Sequence, residues 1–391
     1  MNGLESSARL LFRSALLIFT VTIVIGILNG MDVWEPTHNL LLTHVHSGTL
    51  GWITLAVIGA AMLMFGDGAG TEQAADAQRV ALLSIVAAVL YVIAFATTTG
   101  IMRPITGTLM LVAIVWVLVW AWRRYAASAR STGQLGVFLA LVSLTIGAVL
   151  GVLLGLFIAQ GEIPGLSNDT AASLAGAHPP AMLIGYLILA GAALAHWLLG
   201  GSESRAGRGV MWALFGAGIL ANLAFILELD ALVQVATVLE VVAIITLVVH
   251  LWPRLKAWGE GGAETFARMA IVFLAVGIAL LVYVVQLITS GELNPETGEG
   301  PVYVLLAFDH AMFIGVMTNA LFALIARTGG GGADPVILWG VNGGLLLFLV
   351  GLVTDTAVLK RIGAPVMGLM LLYALFVFFR RLASPSSVAT T

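Results

Sequence analysis

The sequence predicts an all-α polytopic membrane protein with about twelve transmembrane helices in three pseudo-symmetric four-helix arcs. Three observations carry this expectation. Hydrophobic residues make up 60% of the 391-residue chain and charged residues 9%, with a mean hydropathy of +1.06; soluble domains carry roughly 25% charged residues, so the apolar excess is too large for one globular core. Apolar stretches of about 20 residues recur between Gly, Pro or charged breaks, which is the length that crosses a bilayer. Finally, threading those stretches alternately through a membrane collects nearly all Lys and Arg on one side, as the positive-inside rule requires.

The spans fall roughly at 8–30, 39–65, 79–98, 101–122, 134–159, 171–199, 208–227, 231–252, 266–289, 301–326, 335–354 and 362–382. The first, within "MNGLESSARLLFRSALLIFTVTIVIGILNG", has Arg9 and Arg13 ahead of or inside its apolar run and no clear small-residue cleavage site, so it reads as an uncleaved helix. With the N-terminus inside, Arg9, Arg13, Arg79, Arg123, Arg124, Arg130, Arg205, Arg208, Arg254, Lys256, Arg268, Arg327, Arg380 and Arg381 all fall on the inner side. Only Arg103, Lys360 and Arg361 fall outside, and these three become candidates for holding an anionic group there. Both termini are then expected to be cytoplasmic, in a single transmembrane domain spanning 1–391. Cysteine is absent, which excludes disulfides, thiolate metal sites and covalently attached c-type haem within the chain. A net charge of −3 with no basic tract gives no sign of nucleic-acid binding, and the lipid bilayer is the partner that the composition implies.

An internal repeat organises the chain. The second, sixth and tenth spans contain "HVHSGTLGW" from His44, "HPPAMLIGY" from His178 and "FDHAMFIGV" from Phe308, with Gly51, Gly185 and Gly315 in register. Their separations of about 134 and 130 residues match four spans plus loops, giving units at roughly 1–130, 131–260 and 261–391. Even-numbered spans run inward, so His44, His46, His178 and His310 share one depth near the outer face. Residues two apart on a helix point about 200° from each other, so His44 and His46 should face different neighbours. Four imidazoles at one depth are candidate metal ligands. His38, His196 and His250, at helix ends or beside tryptophans, read as structural.

Twelve helices in three arcs, with histidines on the second, sixth and tenth, resemble the haem-copper oxidase superfamily, meaning subunit I of terminal oxidases and nitric oxide reductases. "HVHSGTLGW" is similar to the second-helix motif of small, divergent subunit-I-like proteins of bacteria. The resemblance implies a low-spin haem b held by one histidine of the second helix and one of the tenth, by repeat position His46 and His310. It also implies a copper ligand at His178, in "AHPPAM", and a basic pair on the haem propionates, here Lys360 and Arg361 in the loop before the twelfth span. The sequence departs from the family at Phe308, where a high-spin haem ligand would stand, and in the seventh span, which lacks histidine. No tyrosine lies one turn after His178. The usual three-histidine copper site is therefore not expected, and the family reaction is not implied.

The leading expectation is a b-type cytochrome of the cytoplasmic membrane of a bacterium or archaeon, transferring electrons or handling a diatomic gas, with enzymatic activity left open. A partner respiratory subunit or other electron donor belongs to that reading. Two neutral imidazoles are suitable axial ligands, and surrounding apolar residues can accept a macrocycle. Gly48 and Gly51 would give close approach on the ligand helix. Asp309 could orient a histidine or face a polar cavity. A second possibility is a degenerate oxidase or nitric oxide reductase with a second haem or a copper ion at His44 and His178. A third is a haem-free transporter of metal or small solutes, for which Glu240 is the main central intramembrane charge.

Overall fold

The computed structural model describes residues 3–128, 130–163, 165–256, 258, 262–294 and 298–383. Twelve helices are long and apolar enough to cross a membrane: α1 (Gly3–Gly30), α2 (His38–Met64), α3 (Thr71–Thr97), α4 (Met102–Ala127), α5 (Thr132–Gln160), α6 (Asn168–Leu198), α7 (Arg205–Leu227), α8 (Asp230–Leu255), α9 (Glu264–Thr289), α10 (Tyr303–Thr328), α11 (Pro335–Val353) and α12 (Ala357–Ala383). An integral, all-α membrane protein follows, because only helices satisfy every backbone group within the hydrocarbon region without closing a barrel.

Several helices outrun the apolar windows that announce them. Helix propagation continues while each added residue gains a backbone bond, so α3 begins at Thr71 and includes Glu72, Asp76 and Arg79. The same extension moves Lys360 and Arg361 out of the expected loop and into the first turn of α12.

Burial separates the helices into two classes. In α2, α6 and α10 the apolar windows are 94%, 78% and 72% buried, whereas the other nine lie between 28% and 56%. The three motif helices are therefore the centre, and the remaining nine surround them with one face toward lipid. Around this core α1 packs on α2, α3 and α12, α5 on α4, α6 and α7, and α9 on α8, α10 and α6.

Each central helix changes hydrogen-bond pattern in the same place. A π-helical segment covers Ser47–Thr54 in α2, Ala181–Ile188 in α6 and Ala311–Thr318 in α10. Gly51, Gly185 and Gly315 are each the fifth residue of their segment, and each abuts the helix that precedes it: Ile18 of α1, Ser143 of α5 and Phe273 of α9. The three central helices are joined by buried polar contacts within these segments. Tyr186 donates its hydroxyl to Thr54 Oγ1 at 3.2 Å, and Trp52 donates its indole N–H to Thr318 Oγ1 at 3.1 Å. Thr318 in turn donates to the carbonyl of Phe313 at 2.9 Å, satisfying an acceptor inside the π turn. Beside it Asn319 and Asn342 exchange amide hydrogen bonds of 2.7 and 3.1 Å, fixing α11 on α10.

A methyl group on Gly315 would overlap the Cβ and Cγ of Phe273, atoms too near the backbone to move aside, whereas one on Gly343 meets nothing within 4 Å. Gly315→Ala is thus expected to lose about 1–3 kcal/mol of stability through overpacking, while Gly343→Ala should be neutral or slightly stabilising. Thermal unfolding of the detergent-solubilised variants checks both.

Candidate functional site

Four histidines at the start of the central helices are held alike. His44 Nδ1 lies 2.9 Å from the carbonyl of Thr22, His46 Nδ1 2.8 Å from Leu42 O, His178 Nδ1 3.0 Å from Gly147 O, and His310 Nδ1 2.8 Å from Leu306 O. A carbonyl can only accept, so each Nδ1 carries the proton. In the neutral ring this leaves Nε2 with a free lone pair, the atom and tautomer that a metal takes. Among the described residues no hydrogen bond reaches any of these four Nε2 atoms.

The rings form two pairs. His44 points to α1, where Gly26 leaves room for it: a Cβ on Gly26 would sit 3.0 Å from the His44 ring carbon Cε1. His310 stands near enough that a charge on it would be felt at His44, and its ring meets Phe348 of α11 edge-on at 5.0 Å. His46 turns to the opposite side of α2, stacks on Phe95 of α3 at 4.0 Å and meets Tyr91 edge-on at 5.5 Å. His46, His178 and Arg103 line one cavity.

The expected sets are His46 with His310 and His44 with His178. The structure puts His46 and His178 on the lining of one cavity, to which neither His44 nor His310 contributes, and seats the His44 ring against Gly26 of α1. The cause is the fixed azimuth of α2. With Thr22 taking the Nδ1 proton of His44, that ring is drawn to the α1 and α10 side, and the 200° step of about half a helical turn places His46 against α3. Gly48 and Gly51 serve this placement by letting α1 close on α2, Gly48 against Thr22 and Gly51 against Ile18. Thr22 is tied further by a 2.6 Å bond between its hydroxyl and that of Ser47.

The three cations singled out by topology fall into two groups. Lys360 contacts Asp355 at 2.8 Å and lies 4.0 Å from the ring centroid of Tyr303, at the start of α10. Arg361 pairs with Asp32, just after α1, at 2.9 Å. Both therefore sit at the ends of the helices that carry His310 and face His44. Arg103 belongs to the other pair: it donates to Asn39 Oδ1 at 2.8 Å and Phe95 O at 3.1 Å and lies over the Phe95 ring. Asp309, one residue before His310, lines the His46 and His178 cavity.

Other candidates lie apart. His38 is the first residue of α2. His196 and His250 stack on each other with centroids 5.6 Å apart at the opposite end of the bundle. Glu240 is buried in α8, and neither carboxylate oxygen has a hydrogen-bond partner among the described residues. Among those residues no three His, Asp or Glu side chains gather as a metal-binding group. Sequence reasoning missed Thr22, Tyr91, Phe95 and Asn39, whose roles arise only once α1, α3 and α4 are docked on α2; Tyr91 and Phe95 do share an i, i+4 face.

No family model matches the chain, and no curated protein matches it.

The carbonyl partners fix an expected tautomer: in metal-free protein, His44, His46, His178 and His310 should all be Nδ1–H and Nε2-unprotonated. Solid-state 15N spectra of histidine-labelled protein read this directly, and individual His→Gln variants assign the signals. Nε2–H signals at these positions would contradict the ligand-ready state.

Proposed function

We propose that the protein is a membrane b-type cytochrome in which His44 and His310 are the axial ligands of a low-spin haem. The observation that carries the reading is the pair of imidazoles on two different central helices, each with Nδ1 fixed by a backbone carbonyl and Nε2 left free. A purely structural histidine has no need of a neighbour in the same state at the same depth, and polar groups in hydrocarbon are costly enough to be retained chiefly for function. The fit to a haem is supported by the donor chemistry, since two neutral imidazoles with defined tautomers are a common low-spin set. It is supported also by Gly26, which seats the His44 ring against α1 where any side chain would displace it.

The resemblance to the haem-copper oxidase superfamily, drawn from the second-, sixth- and tenth-helix motifs, points to the same place with the second-helix ligand moved from His46 to His44. Lys360 and Arg361 would carry the haem carboxylates. Both are held near the ends of α10 and α1 by exposed acidic partners, Asp355 and Asp32, and the Arg361–Asp32 pair, exposed on both sides, is of the kind weak enough to rearrange. When bound, the haem would supply one-electron chemistry. The protein's own residues would fix its orientation, exclude water through the apolar core and hold the ligand tautomers. The lone pairs support a cytochrome more strongly than a haem-free transporter, since the central intramembrane carboxylate Glu240 is remote from them on α8. With Nδ1 of each ring tied to a carbonyl, neither histidine is arranged to pass a proton along a chain.

Substitution of either ligand tests the reading. His44→Ala and His310→Ala should each remove the sharp reduced α and β bands of the His44–His310 haem from the dithionite-minus-oxidised spectrum, while circular dichroism stays helical. An unaltered low-spin spectrum in His310→Ala would refute the assignment.

A further inference from the structure

We propose that the cavity between α2, α3, α4, α5 and α6 is a second porphyrin site, with His46 and His178 as its iron ligands and Arg103 at its carboxylate edge. The inference rests on the preceding reading for the nature of the cofactor, but its geometry stands on separate residues.

The two histidine pairs correspond position by position. In the repeat, His44, His178 and Phe308 occupy a first position, and His46, Pro180 and His310 a third position two residues later. His46 and His178, a third-position ring and the first-position ring of the next central helix, line one cavity, and His310 and His44 stand in the same relation in the repeat. The first-position rings are seated identically. His44 donates to Thr22 O on α1 with Gly26 four residues further on against its Cε1, and His178 donates to Gly147 O on α5 with Gly151 four residues further on against its Cε1. The third-position rings also match, since His46 and His310 both donate to the carbonyl four residues earlier. Each meets an aromatic side chain from the helix after its neighbour in the repeat, Phe95 and Tyr91 of α3 for His46 and Phe348 of α11 for His310. Cations stand in the first turns of the corresponding helices, Arg103 in α4 and Lys360 and Arg361 in α12. The third such interface, between α6 and α10, has Pro180 and Phe308 at the two positions, neither able to bind iron.

A site equivalent in its ligands, their tautomers, its aromatic wall and its cation should take the same class of cofactor. The cavity, about 330 Å³, has a largely apolar lining for one, with Met110 and Ile114 of α4, Val152 and Ile158 of α5 and the small residues Gly107 and Gly155 among its walls. Arg103 uses its Nη2 on Asn39 and Phe95, and its buried Nε has no hydrogen-bond partner among the described residues, so a donor remains for an anionic edge. A lone metal ion would leave the apolar bulk of this cavity unfilled, and among the described residues no three His, Asp or Glu side chains gather to hold one.

Haem counting decides the matter. The full-length protein, expressed with δ-aminolevulinate and purified in detergent, should contain about two haems b per chain by pyridine haemochrome. His178→Ala and His310→Ala should each halve the content, and the double variant should be colourless. Because His178→Ala could disturb folding, His178→Gly supplemented with free imidazole serves as a second variant: the lost low-spin signal should return with imidazole, which a structural defect would not permit. Gly155→Leu, whose Cβ meets only Pro104 at ordinary contact distances, should lower haem content by filling the cavity without touching a ligand. A single haem lost in His310→Ala and retained in His178→Ala overturns this proposal and leaves the His44–His310 cytochrome standing. A single haem lost in His178→Ala and retained in His310→Ala does the reverse, and a colourless wild type that stays colourless with added haemin overturns both. Stoichiometric copper with no second haem also overturns it.

Discussion

In hydrocarbon every backbone carbonyl must find a donor inside the protein, and this constraint governs the centre of the molecule. The π-helical segments of α2, α6 and α10 replace the ordinary i→i−4 ladder by i→i−5 backbone bonds, and side chains add further donors to their carbonyls. Thr318 and Asn319 do this in α10, donating to Phe313 and Gly315. The same economy sets the histidines: two of the four Nδ1 protons go to carbonyls one turn back on the same helix, and two go to α1 and α5. Saturating the backbone and orienting the rings are thus one task. The π turns begin one residue after His46 and one after His310, so the change of pitch falls where the ring positions must be set against neighbouring helices.

Small residues complete the arrangement. Without a hydrophobic force between helices in lipid, close packing and interhelical hydrogen bonds must hold the bundle. The Gly51, Gly185 and Gly315 contacts bring α1, α5 and α9 against the central helices, and the contacts of Gly26 and Gly151 with histidine rings let α1 and α5 supply the carbonyl partners. The larger polar side chains Trp52, Tyr186 and Thr54 tie the three central helices to each other at the same level, all buried.

Much of this architecture was legible in the sequence. Twelve spans follow from apolar length and charge placement, and the register of Gly51, Gly185 and Gly315 announced the repeat. That His44 and His46 face opposite ways follows from helical geometry alone. What could not be read is which neighbour each ring meets, because that depends on the rotation of α2 within the bundle, set by Thr22, Gly48 and Ile18 of separate segments. Lys360 and Arg361 were placed in a loop because hydropathy marks where a helix enters lipid, not where its backbone bonds begin. The π segments have no local sequence signal, as their residues Leu, Ile, Met and Gly are ordinary in membrane helices.

The opposed rings of His44 and His46 have a mechanical consequence. They are separated by one residue on a single rigid rod, one facing α1 and α10 and the other α3 and α6. Any twist of α2 about its long axis that brought one ring closer to its mate would swing the other away by the same angle. Only one azimuth of the rod satisfies both sides, so whatever locks one side removes the torsional freedom of the other. The helix behaves as a balance beam rather than as two independent hinges, and the two sides of the molecule are held in step by a single helix.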